Sequence, residues 1–491
     1  MELERGAQYV LVRALFARLV GLVYGLAFLS LWGQIDGLIG SGGILPVADY
    51  LDNVRMHLGG AAYWRLPTLC WLSASDTVLH LLCGGGFLVA VLIALGIAPA
   101  PMLCLAWLFY LSLVVAGQAF LSFQWDILLL ETGFLAIFFA PLEFKPRKVW
   151  TAPPSLLVLW LLRWLLFRLM FSSGLVKLLS RDPSWSEFTA LNYHYETQPL
   201  PAWTSWYAHQ LPEYMQMMSV AAMFSIELVV PFAVFAPRRV RLWACALLLA
   251  LQVLIGLTGN YGFFNLLTAV LCLVLLDDQA LRRLPVFGNL PVVGPGRIWP
   301  RWVLFPIAMI ILTLSGMRMG YTTQLIADWP APLRQFQTWM QPFHLASNYG
   351  LFAVMTTQRP EIVVEGSDDG QIWRAYEFEW KPGRVDRAPQ FIQPHMPRLD
   401  WQMWFAALRS YKSYPWYLQF MMRLLQGAPQ VLDLLAHNPF PDRAPRYLRA
   451  RLYQYHFTTW QERRESGIWW RRDEQGLYCP VLSLRQNGEG K

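Results

Sequence analysis

Apolar residues fill the first two thirds of the chain in long runs, whereas the last third mixes apolar and polar positions in short pieces. At about 20 apolar residues per crossing, the runs predict about nine membrane spans. They lie near Val12–Trp32, Thr77–Leu95, Met102–Leu121, Trp125–Pro141, Ser155–Leu179, Tyr214–Ala236, Leu242–Leu257, Tyr261–Leu276 and Trp302–Met319. Gly59–Ser73 is half apolar, with aromatic and basic interruptions, and predicts a helix lying in the membrane interface. The glycine cluster Gly40–Gly43 lacks the Lys-Ser/Thr that would make it a phosphate loop.

From about Tyr321 the pattern is that of a water-soluble domain. Glu361–Gly366 and Gln371–Trp380 flank Ser367-Asp368-Asp369-Gly370, and Asp-Gly tolerates the positive φ of a tight hairpin turn. Ile372, Tyr376, Phe378 and Trp380 are expected to share one strand face. Asp400–Leu408 and Trp416–Leu425 read as helices; Tyr447–Thr458 and Gly467–Arg472 read as further helix or strand, with strand favoured for their aromatic-rich portions. The expected fold class is thus a polytopic α-helical membrane protein with a C-terminal extramembrane α+β domain. Residues 1–320 would form the helical domain, with an outer loop at 180–213, and 321–491 the soluble domain.

Composition agrees with this division. Charged residues make up 15% of the chain and hydrophobic residues 55%, where soluble domains carry about 25% charged. No nucleic-acid module is present, and the excess of 40 Lys and Arg over 32 Asp and Glu reads as membrane-flanking charge. Arg5, Lys145-Pro146-Arg147-Lys148, Arg238-Arg239-Val240-Arg241 and Arg282-Arg283 all fall on one side of nine alternating spans. That side is cytoplasmic by the positive-inside rule, so the loop after Lys177 and everything beyond Tyr321 face a periplasm or organelle lumen. The N-terminus reads as an uncleaved first span. Five of the six cysteines lie in or beside apolar runs, and no Cys/His spacing suits a metal, so neither a disulfide network, a metal nor a cofactor is expected.

Ionisable residues inside the apolar runs are the candidate chemistry, because a charge at membrane depth needs a partner, a wet cavity or a function. Counting 1.5 Å per residue, depth matches Asp126 with Lys177, Glu131 with Arg168, and Glu227 with Arg163. The arginines suit fixed structural pairing, since guanidinium stays protonated. A desolvated Lys177 is able to lose its proton and act as a base, while a lysine near the outer edge also snorkels. Beyond it, Trp185, Tyr193, His194, Tyr195, Glu196 and Gln198 crowd one loop, which reads either as a binding or proton-transfer site or as a hydrogen-bonded cap on the bundle.

The stretches SGLVKL (Ser173–Leu178), DPSW (Asp182–Trp185) and TALNYHYETQPLP (Thr189–Pro201) resemble the lipase maturation factor family. The resemblance returns at Ser347–Gly383, Pro394–Leu408 and NPFP (Asn438–Pro441). It implies a polytopic membrane protein that helps secreted lipases reach an active fold, with the loop and C-terminal domain available to a client polypeptide. Animal members sit in the endoplasmic reticulum, and a bacterial member would sit in the inner membrane. The helix end at Ser173–Leu178 is also more distantly similar to vitamin K-dependent gamma-carboxylases, whose Gly-x-x-Lys-Leu lysine is a catalytic base. Only Lys177 carries over. Where the carboxylases place a histidine on the preceding helix, this chain has Trp125-Asp126.

Two main readings follow. One is a maturation factor without turnover that binds a client and membrane lipid. The other is an enzyme using Lys177, assisted by Asp126 or His194, on a lipid or quinone-like substrate. A transporter ranks last, for want of paired broken helices in two halves.

Overall fold

The computed structural model describes residues 7–142, 144, 153–283, 285, 298–326 and 328–484. Helices occupy all nine apolar stretches: α1 (Val10–Trp32), α2 (Asp76–Leu95), α3 (Pro99–Ala116), α4 (Gln124–Phe139), α5 (Leu156–Leu179), α6 (Glu213–Phe235), α7 (Arg238–Thr258), α8 (Phe264–Leu275) and α9 (Arg301–Thr322). Seven are long and apolar enough to cross a membrane; the 16-residue α4 and the short α8 fall below that length. The expected interfacial helix at Gly59–Ser73 is instead broken into a 3-10 turn, the four-residue helix Ala62–Arg65 and a second 3-10 turn at Leu69–Trp71. Pro67 supplies the reason: it lacks an N–H and disfavours helix in the residue before it.

α1 runs through the middle of the bundle and packs on α2, α4 and α8. Its approach to α2 depends on small residues, as in many membrane interfaces. A Cβ on Gly21 would stand 2.8 Å from Ile93, and one on Gly86 2.4 Å from the Phe28 ring. Asp278, just past α8, accepts hydrogen bonds from the Val10, Leu11 and Val12 backbone N–H groups at 2.9–3.1 Å. It thereby satisfies donors that the first turn of a helix cannot pair internally. Neighbouring Asp277 pairs with Arg238 at the start of α7, so the beginnings of α1 and α7 and the end of α8 meet at one end of the bundle. Arg5 and Lys145–Lys148 lie outside the described residues.

At the opposite end sits an α+β unit. Its antiparallel sheet has the order β2-β1-β5-β6, with β1 Arg359–Ser367, β2 Arg374–Ala375, β5 Tyr447–Phe457 and β6 Trp470–Leu482. A second, two-stranded sheet joins β3 (Glu377–Phe378) to β4 (Leu435–His437). The hairpin forms where Asp-Gly predicts it: Gly370 has φ +75° and the Asp369 carboxylate accepts from the Gln371 and Ile372 N–H groups. The expected second strand, Gln371–Trp380, is not continuous. Its residues divide between β2 and β3, so Tyr376 and Phe378 are buried while Ile372 lies exposed at the turn.

Helix α10 (Arg398–Ala407) joins the unit to the bundle. Trp401 packs edge-on against Trp125 of α4, ring centroids 4.7 Å apart, and the Gln34 side chain of the first membrane loop accepts from the Arg398 N–H. The segment Ser347–Met355 also lies on the bundle: Gly350 N–H donates to Gln124 and Met355 N–H to Asp182.

Candidate functional site

The buried charges pair differently from the depth argument in two cases of three. Arg168 does meet Glu131, and that carboxylate also accepts from Tyr349 Oη at 2.6 Å and the Ser347 N–H at 3.1 Å. Asp126 does not meet Lys177. It takes a two-pronged ion pair from Arg398 of α10, Nη2 to Oδ1 2.7 Å, and a hydrogen bond from Tyr110. Depth matching counted only cations within apolar runs, and Arg398 comes from a stretch whose pattern is that of a soluble domain.

Lys177 instead pairs with Glu227, Nζ to Oε2 2.7 Å, and donates to the Ser173 carbonyl at 3.1 Å. Helical side chains lean toward their own N-terminus, so Lys177 reaches inward and Glu227 outward until they meet. A π-helical turn at Ser225–Val229 presents Glu227 there, and Gly174 admits it: a Cβ on Gly174 would lie 2.9 Å from Leu228. Arg163 is left to the Val274 carbonyl and Tyr9 hydroxyl, which it shares with Arg241. Guanidinium is satisfied by such acceptors, so it requires no carboxylate.

A cavity of about 340 Å³ opens beside the Lys177–Glu227 pair, within the range of small-molecule sites, roughly 300–1,000 Å³. Its walls are mainly apolar side chains of α5, α6, α7 and α8, among them Met170, Met223, Leu251 and Ile255. Its roof comes from the outer loop and the segment after residue 350. Trp185 stands over the Lys177 ammonium, 5.4 Å from ring centroid to Nζ, and its indole N–H donates to the Phe352 carbonyl at 3.1 Å. His194 packs edge-on against the Phe352 ring at 4.8 Å.

His194 Nε2 lies 3.0 Å from Tyr261 Oη, and that hydroxyl donates to Gln198 Oε1 at 2.8 Å. With the phenol proton directed at Gln198, the imidazole donates from Nε2 and keeps an acceptor at Nδ1. Burial, with Lys177 nearby, pushes His194 down to about 4, so the ring is neutral at ordinary pH. Polar contacts in the cavity therefore comprise one compensated ion pair and neutral groups.

The candidate residues of the loop and of the helices beneath it divide by direction. Lys177, Trp185, His194, Tyr195 and Glu227 line the cavity. Tyr193 points outward, and Gln198 sits behind the roof, donating to the Tyr195 and Thr258 carbonyls. Glu196 faces the C-terminal unit, accepting from the Phe457 N–H at 2.9 Å and facing His456 Nδ1 at 3.2 Å, with His209 at 3.7 Å. Burial alone would push the Glu196 carboxyl up; His456, His209 and the Phe457 N–H together hold it below its usual range. Tyr261, Gln252, Asn265 and Thr268 also line the cavity and were missed. The signal was present as polar residues inside apolar runs, with Asn265 and Thr268 one helical turn apart. Among the described residues, no group of three or more His, Cys, Asp or Glu could hold a metal ion.

Residues 11–283 match the family model for the lipase maturation factor transmembrane domain, and residues 345–480 the model for its C-terminal domain. Lipase maturation factor 2 of Homo sapiens is 38% identical, over 96% of this chain and 83% of its own length. The Xenopus laevis protein of that name is 37% identical, over 97% and 83%. Lipase maturation factor 1 of Bos taurus is 34% identical, over 99% of this chain and 91% of its own. No solved structure matches the chain.

Proposed function

Because the chain belongs to the lipase maturation factor family, we infer that it is a membrane-embedded factor assisting the folding or assembly of secreted lipases or other exported proteins. The C-terminal unit and outer loop then face a lumen or periplasm, the membrane being endoplasmic reticulum in a eukaryote and inner membrane in a bacterium. In support, Arg238, Arg239 and Arg241 stand at the start of α7, the end of the bundle away from the α+β unit.

The observation that carries this reading is one exposed aromatic surface built by both parts. Trp203 and Tyr207 of the loop, with Phe391 and Trp460 of the C-terminal unit, are each 40–54% exposed and stack edge-on at 5.5–6.3 Å. Such large, rigid, amphipathic side chains are enriched at protein interfaces, and contiguous exposed apolar surface marks interaction sites. The surface is fixed in place. Arg359, fully buried, donates to the Glu196 and Pro199 carbonyls of the loop and to Glu361 of its own strand, while Trp206 donates to the Thr458 carbonyl at 2.9 Å.

Co-expression with a secreted lipase in cells lacking their own factor tests the reading, with active enzyme per lipase protein in the medium as the measure. The native chain should restore that ratio, and a variant with Trp203, Tyr207 and Trp460 all changed to Ser should fail while remaining in the membrane. No restoration by the native chain would sink the proposal. The carboxylase-like alternative draws no support from these similarities, and Lys177 is engaged by a carboxylate and a carbonyl.

A further inference from the structure

The cavity beside Lys177 has a lateral mouth. The inner part of α6, Val230–Phe235, packs closely on α7, but its outer part, Glu213–Phe224, packs on the loop helix Ala190–Thr197 instead. α6 and α7 thus form a V whose open side is lipped by Ser219 on one arm and Leu254 on the other, with Leu211 of the loop just before α6, all exposed. These arms belong to helices long and apolar enough to cross the membrane, so the mouth gives onto hydrocarbon. What reaches such an opening is a lipid chain.

We propose that this cavity binds one acyl chain of an uncharged lipid bearing a free hydroxyl, an acylglycerol, admitted sideways between α6 and α7. Size sets the first limit: at about 340 Å³ the cavity is at the low end of small-molecule sites, roughly 300–1,000 Å³. It takes one chain, leaving any second chain in the bilayer.

Charge sets the second limit. Lys177 is already neutralised by Glu227 and His194 is neutral, so a charged headgroup would bring a buried charge with no free counter-charge, which is costly. Hydrogen-bonding capacity sets the third. Gln252 and Asn265 are buried, at 8% and 7% exposure, and both line the cavity. Gln252 donates only a long contact to the Met170 sulfur and Asn265 donates to the Gln252 backbone carbonyl; neither side-chain oxygen accepts a hydrogen bond among the described residues. A buried amide with unspent capacity favours an alcohol or ester over hydrocarbon alone. The inference concerns a ligand of the membrane domain and stands independently of the client.

The test uses the full chain in lipid nanodiscs with a photoactivatable diacylglycerol, and matching phosphatidylcholine and phosphatidic acid probes. Diacylglycerol should label peptides around Met223 and Leu251–Ile255 in preference to the other two, and unlabelled diacylglycerol should compete. Leu254→Trp, at an exposed lip position that the fold does not need, should cut labelling about tenfold, equivalent to about 1.4 kcal/mol of affinity. Gln252→Leu should weaken diacylglycerol labelling alone. Labelling spread over the outer faces and indifferent to Leu254→Trp overturns the site. Equal or stronger labelling by either charged-head probe overturns the ligand class. Lipid co-purifying with the native chain and lost in Leu254→Trp, identified by mass, gives an independent reading.

Discussion

Arg398, at the start of α10, grips the Asp126 carboxylate at the start of α4 with both guanidinium arms, and neither side chain is exposed to solvent. The α+β unit thus supplies the counter-charge for a carboxylate buried in the bundle. Removing one partner of such a pair strands the other, at about 3–5 kcal/mol, whereas replacing both is often nearly neutral. Arg398→Met should therefore lower the thermal midpoint of the purified protein sharply. The double variant Arg398→Met/Asp126→Asn, which keeps an acceptor for Tyr110, should recover most of the loss. Equal midpoints for the single and double variants would show that the pair is not coupled.

The Glu131 carboxylate is served by Arg168, Tyr349 and the Ser347 N–H. Tyr349→Phe removes one hydrogen bond to a buried charge, worth about 1.5–3 kcal/mol. Arg168→Lys should cost more despite keeping the charge, because a lysine cannot donate to Glu131 and the Ser347 carbonyl in the same planar geometry. Limited proteolysis of the Ser347–Met355 segment provides the check. Faster cleavage there than elsewhere in both variants is the expected result.

The seam between loop and sheet is pH-dependent through His456. The hydrogen bond to Glu196 raises its pKa, against a smaller opposing effect of burial. A histidine whose folded pKa lies above its unfolded value, about 6.5, stabilises fully below that pH and loses the contribution as pH rises through the folded pKa. His209 works in the opposite sense, since burial lowers it despite Glu196, and Arg471 and Asp473 also act on His456. The informative quantity is thus the difference between native protein and His456→Gln. That difference in thermal midpoint should be present at pH 5.5 and vanish by pH 9; a constant difference would rule out the linkage.

How much of this was legible in the sequence depends on whether a partner was local or distant. Apolar runs revealed the helices because burial against lipid needs little but length and composition. Asp-Gly marked its hairpin because backbone chirality acts within four residues. Glu131 and Arg168 could be matched because both sit mid-run on adjacent helices, where rise per residue measures depth. Asp126 could not be matched, since Arg398 arrives from 272 residues away. Glu227 was misplaced because a π-helical turn and the lean of helical side chains shift an apparent depth by a turn or more. The rest of the cavity's polar lining went unread for a different reason: Gln252, Asn265, Thr268 and Tyr261 are neutral and cost little enough at membrane depth to pass unremarked.

Lys177 remains the residue on which role and structure are most easily separated. Lys177→Met leaves Glu227 buried beside the cavity without its cation, so membrane abundance should fall, whatever else the lysine does. Lys177→Met/Glu227→Gln removes both charges and should restore abundance, since the pair is replaced by groups of similar volume. If Lys177 only holds α5 to α6, the double variant should also restore lipase maturation to the native level. Restored abundance with no maturation would show that the ammonium acts on something in the cavity. Gly174→Ala supplies the control: its Cβ would push the π-helical turn away from α5, at about 1–3 kcal/mol, separating Lys177 from Glu227 with both charges intact. A Gly174→Ala protein that matched the native one in abundance and maturation would show that close contact of the pair is not required.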